Sequence, residues 1–286
     1  MKIDNEIKVR LFTGSIDRLR KSSGCKEVSI INGLLCHEGT FVPREPWMLL
    51  NENDHAKIIC NRNHNFHDIS LIKLPKYLIK EIDKLKIKNC INNLDINYIQ
   101  NSPKWIETSE NILNFLRKFN LDNQEIITHR LYFGQPNLMN NTFNPVDGVF
   151  IGMHLDSWEG DHINMRNCSR NRICINLGNE SRFLLFYNIS ILSMAQMIEL
   201  PSNMKILDIN SIYKKFAEKF PDVPIYRLEI FPYEAYIAPT EFIIHDGSSL
   251  YSKFPDINLT FRGKFHYKKS NSLFNLDFIK RKLRLQ

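Results

Sequence analysis

A histidine and an aspartate two positions apart are the residues of this sequence best suited to chemistry. They are His154 and Asp156, in an apolar segment at 148–157. If this segment is a β-strand, side chains at positions i and i+2 point to the same face. We therefore expect the two side chains to converge, with Gly152 leaving room beside them. An imidazole and a carboxylate on one face are two ligands for a metal ion.

A third ligand is available at the end of a later apolar run. His245 follows the run at 241–244 and lies 89 residues after Asp156. Two imidazoles and one carboxylate occupy one side of a metal ion and leave three coordination positions open. Non-haem Fe(II) enzymes use this arrangement for chemistry with O₂. The sequence therefore predicts a metal site made of His154, Asp156 and His245.

The next strand-like segment, at 258–265, alternates strictly between polar and apolar residues. Its polar face holds Asn258, Thr260, Arg262 and Lys264, and its apolar face holds Leu259, Phe261 and Phe265. An arginine on the inward face of a barrel strand is costly unless it meets an anion. The planar guanidinium fits a carboxylate best, because it donates two parallel hydrogen bonds.

Together, the His-x-Asp pair, the distal histidine and the arginine on the following strand resemble the Fe(II)/2-oxoglutarate-dependent oxygenases. The resemblance covers roughly residues 148–265. It implies that His154, Asp156 and His245 bind Fe(II), and that Arg262 binds the distal carboxylate of 2-oxoglutarate. It also implies a hydrogen bond from Thr260 to that carboxylate. The 17 residues from His245 to Arg262 exceed the spacing in many members of the family.

Two positions refine what the resemblance implies about the reaction. Asp156 is a carboxylate where halogenating members typically have Gly or Ala, so hydroxylation or a related oxidation is favoured. Alkylation-repair members carry a second arginine six positions after the first, where this chain has Lys268. Nucleic acid is therefore disfavoured as the substrate. We expect O₂-dependent hydroxylation of a C–H bond in a small polar metabolite, such as an amino acid or a natural-product intermediate.

Other polar residues near these motifs are candidates for binding the substrate. Arg130 and Tyr132 share one strand face, and Arg172 and Asn176 share another. Either arginine is able to bind a substrate carboxylate, and a surface ion pair is the alternative. Trp158 follows the His-x-Asp pair and is a further candidate.

The loop that contains Trp158 also carries two acids, Glu159 and Asp161. A loop in this position is able to cover a substrate, and its acids are able to meet an amine or a guanidinium. Solvated loop charges are the commoner alternative.

A second group of metal-capable side chains lies earlier in the chain. His55, Cys60, His64 and His67 fall within thirteen positions. Their spacing matches no common zinc finger, and no second pair of ligands follows. We therefore favour a surface loop with clustered histidines. The six cysteines show no disulfide framework, so we expect reduced thiols.

The composition is that of a globular protein with an ordinary core. Of the 286 residues, 43% are hydrophobic and 24% are charged, which excludes a disordered or collagen-like chain. No apolar stretch reaches the roughly 20 residues that cross a bilayer, and the first residues lack a secretory apolar run. We expect a cytoplasmic protein.

The net charge of +7 raises the question of nucleic-acid binding. Basic and acidic residues interleave along the chain, and the only sharply basic stretch is at 280–284. This distribution disfavours nucleic acid as a partner. Nucleophile motifs of hydrolases and glycine-rich phosphate loops are absent.

Periodicity predicts helices in the first part of the chain and strands after about residue 125. Helices are predicted over 6–21, over 74–86, from Ser102 onwards and over 209–220. Strands are predicted over 28–35, 126–133, 148–155, 173–177, 183–189, 227–231, 236–244 and 259–267.

The predicted architecture is mainly β: a double-stranded β-helix (jelly roll, cupin-like) with N-terminal helices packed on it. We expect one oxygenase domain over 1–286, with a mixed helical support at 1–124, the jelly-roll core at 125–268 and a tail at 269–286. Two alternatives remain. One is a cupin-like metalloenzyme that does not use 2-oxoglutarate, and the other is a jelly-roll binding protein without catalysis.

Overall fold

The chain is mainly β with flanking helices, as predicted. The structure is a computed structural model, and it describes residues 7–11, 16–60, 66–121, 123–199 and 209–267. The strands are β1 Val9–Arg10, β2 Leu19–Lys21, β3 Cys25–Ile31, β4 Leu34–Pro43, β5 Met48–Leu49, β6 Ile69–Lys73, β7 Ile127–Gly134, β8 Phe143–Asn144, β9 Val149–Phe150, β10 Asn171–Asn176, β11 Arg182–Ser190, β12 Tyr226–Ile230, β13 Glu234–Ala238, β14 Ile243–Ser248 and β15 Asp256–Gly263.

The α-helices are α1 Glu52–Ile58, α2 Lys76–Asp83, α3 Asn93–Gln100, α4 Pro103–Leu116, α5 Ile191–Met197 and α6 Ile209–Lys219. Short 3-10 helices lie at Ile16–Arg18, Ile87–Asn89, Arg117–Phe119 and Ile163–Cys168. In the part of the chain that the structure describes, no helix combines the length and the apolar composition needed to cross a membrane.

Two of the three sheets carry most of the strands. The main sheet has the order β1-β6-β13-β10-β15-β7, and the second sheet has the order β14-β11-β12-β2-β5. A small sheet, β3-β4-β9-β8, lies beside them. Most pairs are antiparallel, and β1·β6 and β4·β9 are the parallel pairs between named strands of the described chain.

The two large sheets pack face to face over one apolar layer. Cys174 and Tyr236 of the main sheet share this layer with Leu184, Phe186 and Leu228 of the second sheet. Because side chains alternate along a strand, every second residue of β10, β11 and β15 faces the space between the sheets. This inner space is where the polar residues of interest meet.

Helices cover the outer face of the main sheet. Ile173 and Ile175 of β10 point outward into a core shared with α2, α3 and α4, and both are fully buried. Each contributes roughly 2 kcal/mol through burial. The predicted start of α4 is confirmed, since the Ser102 hydroxyl accepts the Trp105 N–H at 3.2 Å and Pro103 occupies the first turn.

The predicted helices over 74–86 and 209–220 are also confirmed as α2 and α6. Helix α2 begins after Pro75, whose missing N–H costs little at this position. Helices α5 and α6 pack on the outer face of the second sheet, where Phe216 and Ala217 are fully buried.

The helix predicted over 6–21 is wrong. The described residues of this segment include β1, a 3-10 helix and β2, and residues 6 and 12–15 lie outside the described residues. Strand β1 pairs with β6, and Leu19 of β2 packs between the two large sheets. The N-terminal part therefore adds strands to both sheets and is more than a helical support.

Two predicted strands are each divided in the structure. The segment at 28–35 is part of the hairpin β3–β4, whose turn places Asn32 and Gly33 at φ 48° and 80°. An Asn-Gly pair favours this turn because both residues tolerate positive φ. The segment at 236–244 splits at Pro239 into β13 and β14, which belong to different sheets.

Candidate metal centre

His154 and His245 face each other across a single backbone bridge. The His154 N–H donates to the His245 carbonyl at 3.0 Å, and the His245 N–H donates to the His154 carbonyl at 2.8 Å. The two imidazole ring centres lie 4.8 Å apart. His245 belongs to β14, whereas His154 lies outside any regular strand, because the strand predicted over 148–155 is reduced to β9 and this bridge.

Gly152 has a different role from the one expected for it. Its φ is +64°, and an added Cβ would lie 2.6 Å from Thr40 and 2.9 Å from the Phe41 carbonyl. Only glycine fits this close approach to β4. The turn that it permits brings the chain from β9 to the histidine bridge.

Both imidazoles are held in the same tautomer by the backbone. Nδ1 of His154 donates to the Gly152 carbonyl at 2.9 Å, and Nδ1 of His245 donates to the Ile243 carbonyl at 3.2 Å. A carbonyl only accepts hydrogen bonds, so in the neutral ring Nε2 keeps its lone pair. In metal sites, such a bond on the second nitrogen fixes the orientation of a ligating imidazole.

Asp156 completes the group. Its backbone N–H donates to the Thr240 carbonyl at 3.1 Å, which ties this residue to the turn before β14. Oδ1 lies 3.7 Å from Nε2 of His154, and Oδ2 lies 3.7 Å from Nε2 of His245. All three donor atoms lie within 4.8 Å of one another.

The donor set fits a divalent metal ion. Asp156 and His245 are 6% and 2% exposed, and Nε2 of His245 is buried without a hydrogen-bond partner in the described structure. A buried acceptor without a partner costs about 1–3 kcal/mol, which a bound cation would offset. Two imidazoles and one carboxylate match the ligand types of non-haem iron sites.

Burial and charge set the protonation states of the triad. Burial lowers the pKa of His245 to about 3, so this imidazole is neutral at pH 7. Burial alone would raise the pKa of Asp156, but Arg172 and the two histidines hold it well below its usual range. Burial also disfavours the protonated form of His154, but its contact with Asp156 and the charge of Asp246 outweigh burial and raise the pKa of His154.

Arg172 contacts the triad directly. Its guanidinium lies 2.7 Å from Oδ2 of Asp156, and its side chain is 18% exposed. Arg172 is one of two candidate arginines for a substrate carboxylate, with an ion pair as the alternative, and the carboxylate that it meets here is Asp156 of the chain. In this position Arg172 both orients Asp156 and neutralises its charge.

Arg262 lies directly across from Arg172 on the neighbouring strand, so both side chains face the inner space. Its Nη1 donates to Glu159 at 3.1 Å and lies 3.8 Å from Glu241. Its Nε donates to Nε2 of His129 at 3.1 Å. The arginine predicted to bind a ligand carboxylate is thus near the triad and already paired with carboxylates of the chain.

Trp158 and Thr260 are the other two predicted residues near this arginine. The Arg262 guanidinium lies over the Trp158 ring at 5.0 Å, and Trp158 is 57% exposed. Thr260 shares the inner face two residues away, opposite Cys174.

The other predicted substrate residues are not brought to the triad. The side-chain amide of Asn176 donates to the carbonyls of Glu180 and Ile230, beyond the end of β10. Tyr132 donates to the Asn141 carbonyl at 3.0 Å. Arg130 is exposed on β7, and the side chain of its neighbour His129 contacts Arg262.

Sequence reasoning missed a buried ion pair beside the triad. Arg166 donates to Glu241 at 3.3 Å, to the Asp156 carbonyl at 2.7 Å and to the Ser157 hydroxyl at 2.9 Å. Burial raises the pKa of Glu241 to about 7. The sequence places Glu241 four residues before His245, but Arg166 lies 75 positions away from Glu241. No local pattern therefore predicts this ion pair.

The earlier group of metal-capable residues does not converge in the described structure. Nε2 of His55 contacts the Leu50 carbonyl at 3.2 Å, Cys60 contacts Asp68, and Nε2 of His67 contacts the Asn167 carbonyl at 2.8 Å. Among the described residues, the triad is the one group of three or more metal-capable donors. His64, Lys268 and the tail at 269–286 lie outside the described residues. No disulfide joins the six cysteines.

No protein-family model, no curated protein and no solved structure matches this chain. The chemistry of the site is therefore inferred from its own residues.

Proposed function

We propose that this protein is an Fe(II)/2-oxoglutarate-dependent oxygenase on a double-stranded β-helix. The observation that carries the proposal is the buried triad, with its two orientated imidazoles and its ion-paired carboxylate. The expected reaction is hydroxylation of a C–H bond in a small polar metabolite.

The strand pairing supports the proposed jelly roll. Outside the small sheet, eight segments follow in order after residue 125: β7, the bridge at His154, β10, β11, β12, β13, β14 and β15. The first pairs with the eighth, the second with the seventh, the third with the sixth and the fourth with the fifth. Such nested pairs arise when one long hairpin rolls into two facing sheets.

The triad would hold the metal through Nε2 of both histidines and one oxygen of Asp156. When bound, the ferrous ion with 2-oxoglutarate and O₂ supplies the oxidising chemistry. The backbone carbonyls behind the imidazoles keep both rings in one orientation, and Arg172 holds the carboxylate. The low exposure of the triad keeps bulk water away from it.

Arg262 is the proposed partner of the distal carboxylate of 2-oxoglutarate, with Thr260 beside it. It lies on the inner face opposite Arg172, which itself contacts Asp156. Since Glu159 is paired with Arg262 in the structure, binding of a further carboxylate requires an exchange of partners.

That ion pair also favours a second candidate function. If Glu159 and Glu241 permanently neutralise Arg262, the metal would act without a keto-acid, as in a cupin-like metalloenzyme. A jelly-roll binding protein without catalysis is the remaining alternative, and it requires no metal at the triad.

Anaerobic titration tests the proposal. Fe(II) followed by 2-oxoglutarate should give a visible charge-transfer band in the wild type, which H245A should lack and which H37A, a variant of an exposed histidine, should keep. A panel of amino acids and related metabolites is then scored for substrate-stimulated release of succinate. Iron binding without the band would favour the cupin-like alternative, and the absence of iron binding would contradict both enzymes.

A further inference from the structure

The Glu159 carboxylate is held by two arginines from different parts of the chain. Arg170, which directly precedes β10, donates from Nη1 to both oxygens at 3.1 and 2.9 Å. Arg262 of β15 donates from Nη1 to Oε1 at 3.1 Å. Two guanidiniums that converge on one carboxylate make a receptor for that group, because each presents donors in the plane that a carboxylate accepts.

The loop that carries Glu159 is attached through its backbone, and its side chains reach solvent. The Glu159 N–H donates to the two oxygens of Glu241 at 3.2 and 3.3 Å. Arg166 donates to the Ser157 hydroxyl at 2.9 Å and to the Asp161 carbonyl at 2.9 Å, which holds both ends of the loop. Between them, Trp158 is exposed, and Gly160 has a φ of +67° with open space where a Cβ would be. The Glu159 side chain is 20% exposed, so it has a path to solvent while the loop ends stay fixed.

The charges around the two arginines balance only while Glu159 is in place. Without it, Arg170 keeps Glu125 at 3.3 Å, whose side chain is 73% exposed. Arg262 keeps Glu241, whose oxygen is 3.8 Å away and which already accepts from Arg166. Two partly buried guanidiniums would then share poorly placed partners, and an incoming carboxylate restores the pairing that Glu159 gave.

We propose that Arg170 and Arg262 form a site for an organic carboxylate, and that Glu159 is its built-in competitor. A ligand carboxylate displaces the Glu159 carboxylate, whose side chain rotates toward solvent while the Glu159 N–H stays bonded to Glu241. This rests on the proposed function only for the identity of the ligand, 2-oxoglutarate. The exchange sets the affinity, since every ligand must first replace an intramolecular partner.

Calorimetric titration of the metal-free protein in EDTA tests the exchange. Succinate and 2-oxoglutarate are titrated into the wild type, E159Q and E159A, and succinamide serves as the neutral probe. Removing the competing carboxylate should tighten succinate binding about tenfold, which corresponds to about 1.4 kcal/mol. R262Q and R170Q should lose the binding, and succinamide should not bind to any variant.

E125Q is the matched control. Glu125 also pairs with Arg170, but on its exposed side, so its loss should change the affinity for succinate less than twofold. Equal affinity of the wild type and both Glu159 variants, or no binding by any of them, would overturn the proposal. So would an equal gain in E125Q. Folding of each variant is checked by thermal unfolding, and E159A stands in if E159Q is unstable.

The outcome is separable from that of the proposed function. Tighter binding by E159Q in the absence of metal, without any Fe(II)-dependent release of succinate, would support the carboxylate site and contradict the oxygenase. Fe(II)-dependent release of succinate with unchanged binding in both Glu159 variants would support the oxygenase and contradict the competition by Glu159.

Discussion

The two halves of the site differ in how their polar groups are satisfied. In the metal half, the donors converge on one another, and Nε2 of His245 is buried without a hydrogen-bond partner in the described structure. In the arginine half, Arg170 and Arg262 each meet a carboxylate of the chain. A cation therefore finds a prepared donor set, whereas an anion must exchange with an internal group.

The largest expected effect breaks the metal half. D156A removes one ligand and leaves Arg172 unneutralised beside the site, so both the lost bond and the repulsion weaken metal binding. We expect at least a hundredfold loss of Fe(II) affinity, measured anaerobically by calorimetry. H37A is the control and should bind as the wild type does; tight binding by D156A would show that the triad is not the metal site.

The ion pair between Arg172 and Asp156 should contribute strongly to the stability of the fold. R172M leaves the Asp156 carboxylate buried without its guanidinium, and we expect the free energy of unfolding of the metal-free protein to fall by about 3 kcal/mol. Urea unfolding measures this. The double variant R172M/D156N should lose less than the sum of the single variants; strict additivity would mean that the pair is not coupled.

The arginine half should make stability depend on pH through Glu241. Its pKa of about 7 lies above the ordinary value of 4.5, so the folded protein binds this proton more tightly than the unfolded chain. The resulting stabilisation is complete below pH 4.5 and is lost as the pH rises to about 7. We expect a loss of about 3 kcal/mol, since the pKa differs by about 2.5 and each pKa unit corresponds to about 1.4 kcal/mol.

Chemical unfolding at a series of pH values measures this effect. E241Q should remove that part of the pH dependence, and E218Q, which alters an exposed glutamate of α6, should not. An identical pH profile for E241Q and the wild type would contradict the raised pKa.

The smallest effect distinguishes the halves by their response to salt. Succinate binding at the partly exposed Arg170 should weaken about threefold between 0.05 and 0.5 M NaCl, because salt screens exposed charges. Fe(II) binding at the buried triad should change less. Equal salt dependence of the two affinities, measured by calorimetry, would remove the contrast between the halves.

Three helices, α2, α4 and α6, and the ligand types of the triad were predictable because their signals are local. Ser102 and Pro103 announced α4, and the spacing in His-x-Asp picked out two members of the triad. The reason given for the convergence of His154 and Asp156 was incomplete. The two side chains meet through a bridge to His245 and a contact with Thr240, and no regular strand contains them.

Predictions from local periodicity were wrong where contacts with distant residues determine the secondary structure. The segment at 6–21 has helical spacing, yet pairing with β6 and packing between the sheets gave β1 and β2, with a 3-10 helix at Ile16–Arg18, in place of an α-helix. Local propensity is a weak prior, and such long-range contacts override it.

By itself, the sequence determined which donors and charges this protein carries, and the alternation that places Thr260 and Arg262 on one face of β15. The tertiary structure alone decided that Arg172 meets Asp156 and that Arg262 meets Glu159. The physical reason is that strand register and loop path set these pairs. The Glu159 and Arg262 positions lie 103 residues apart, so no local pattern fixes the distance between their side chains.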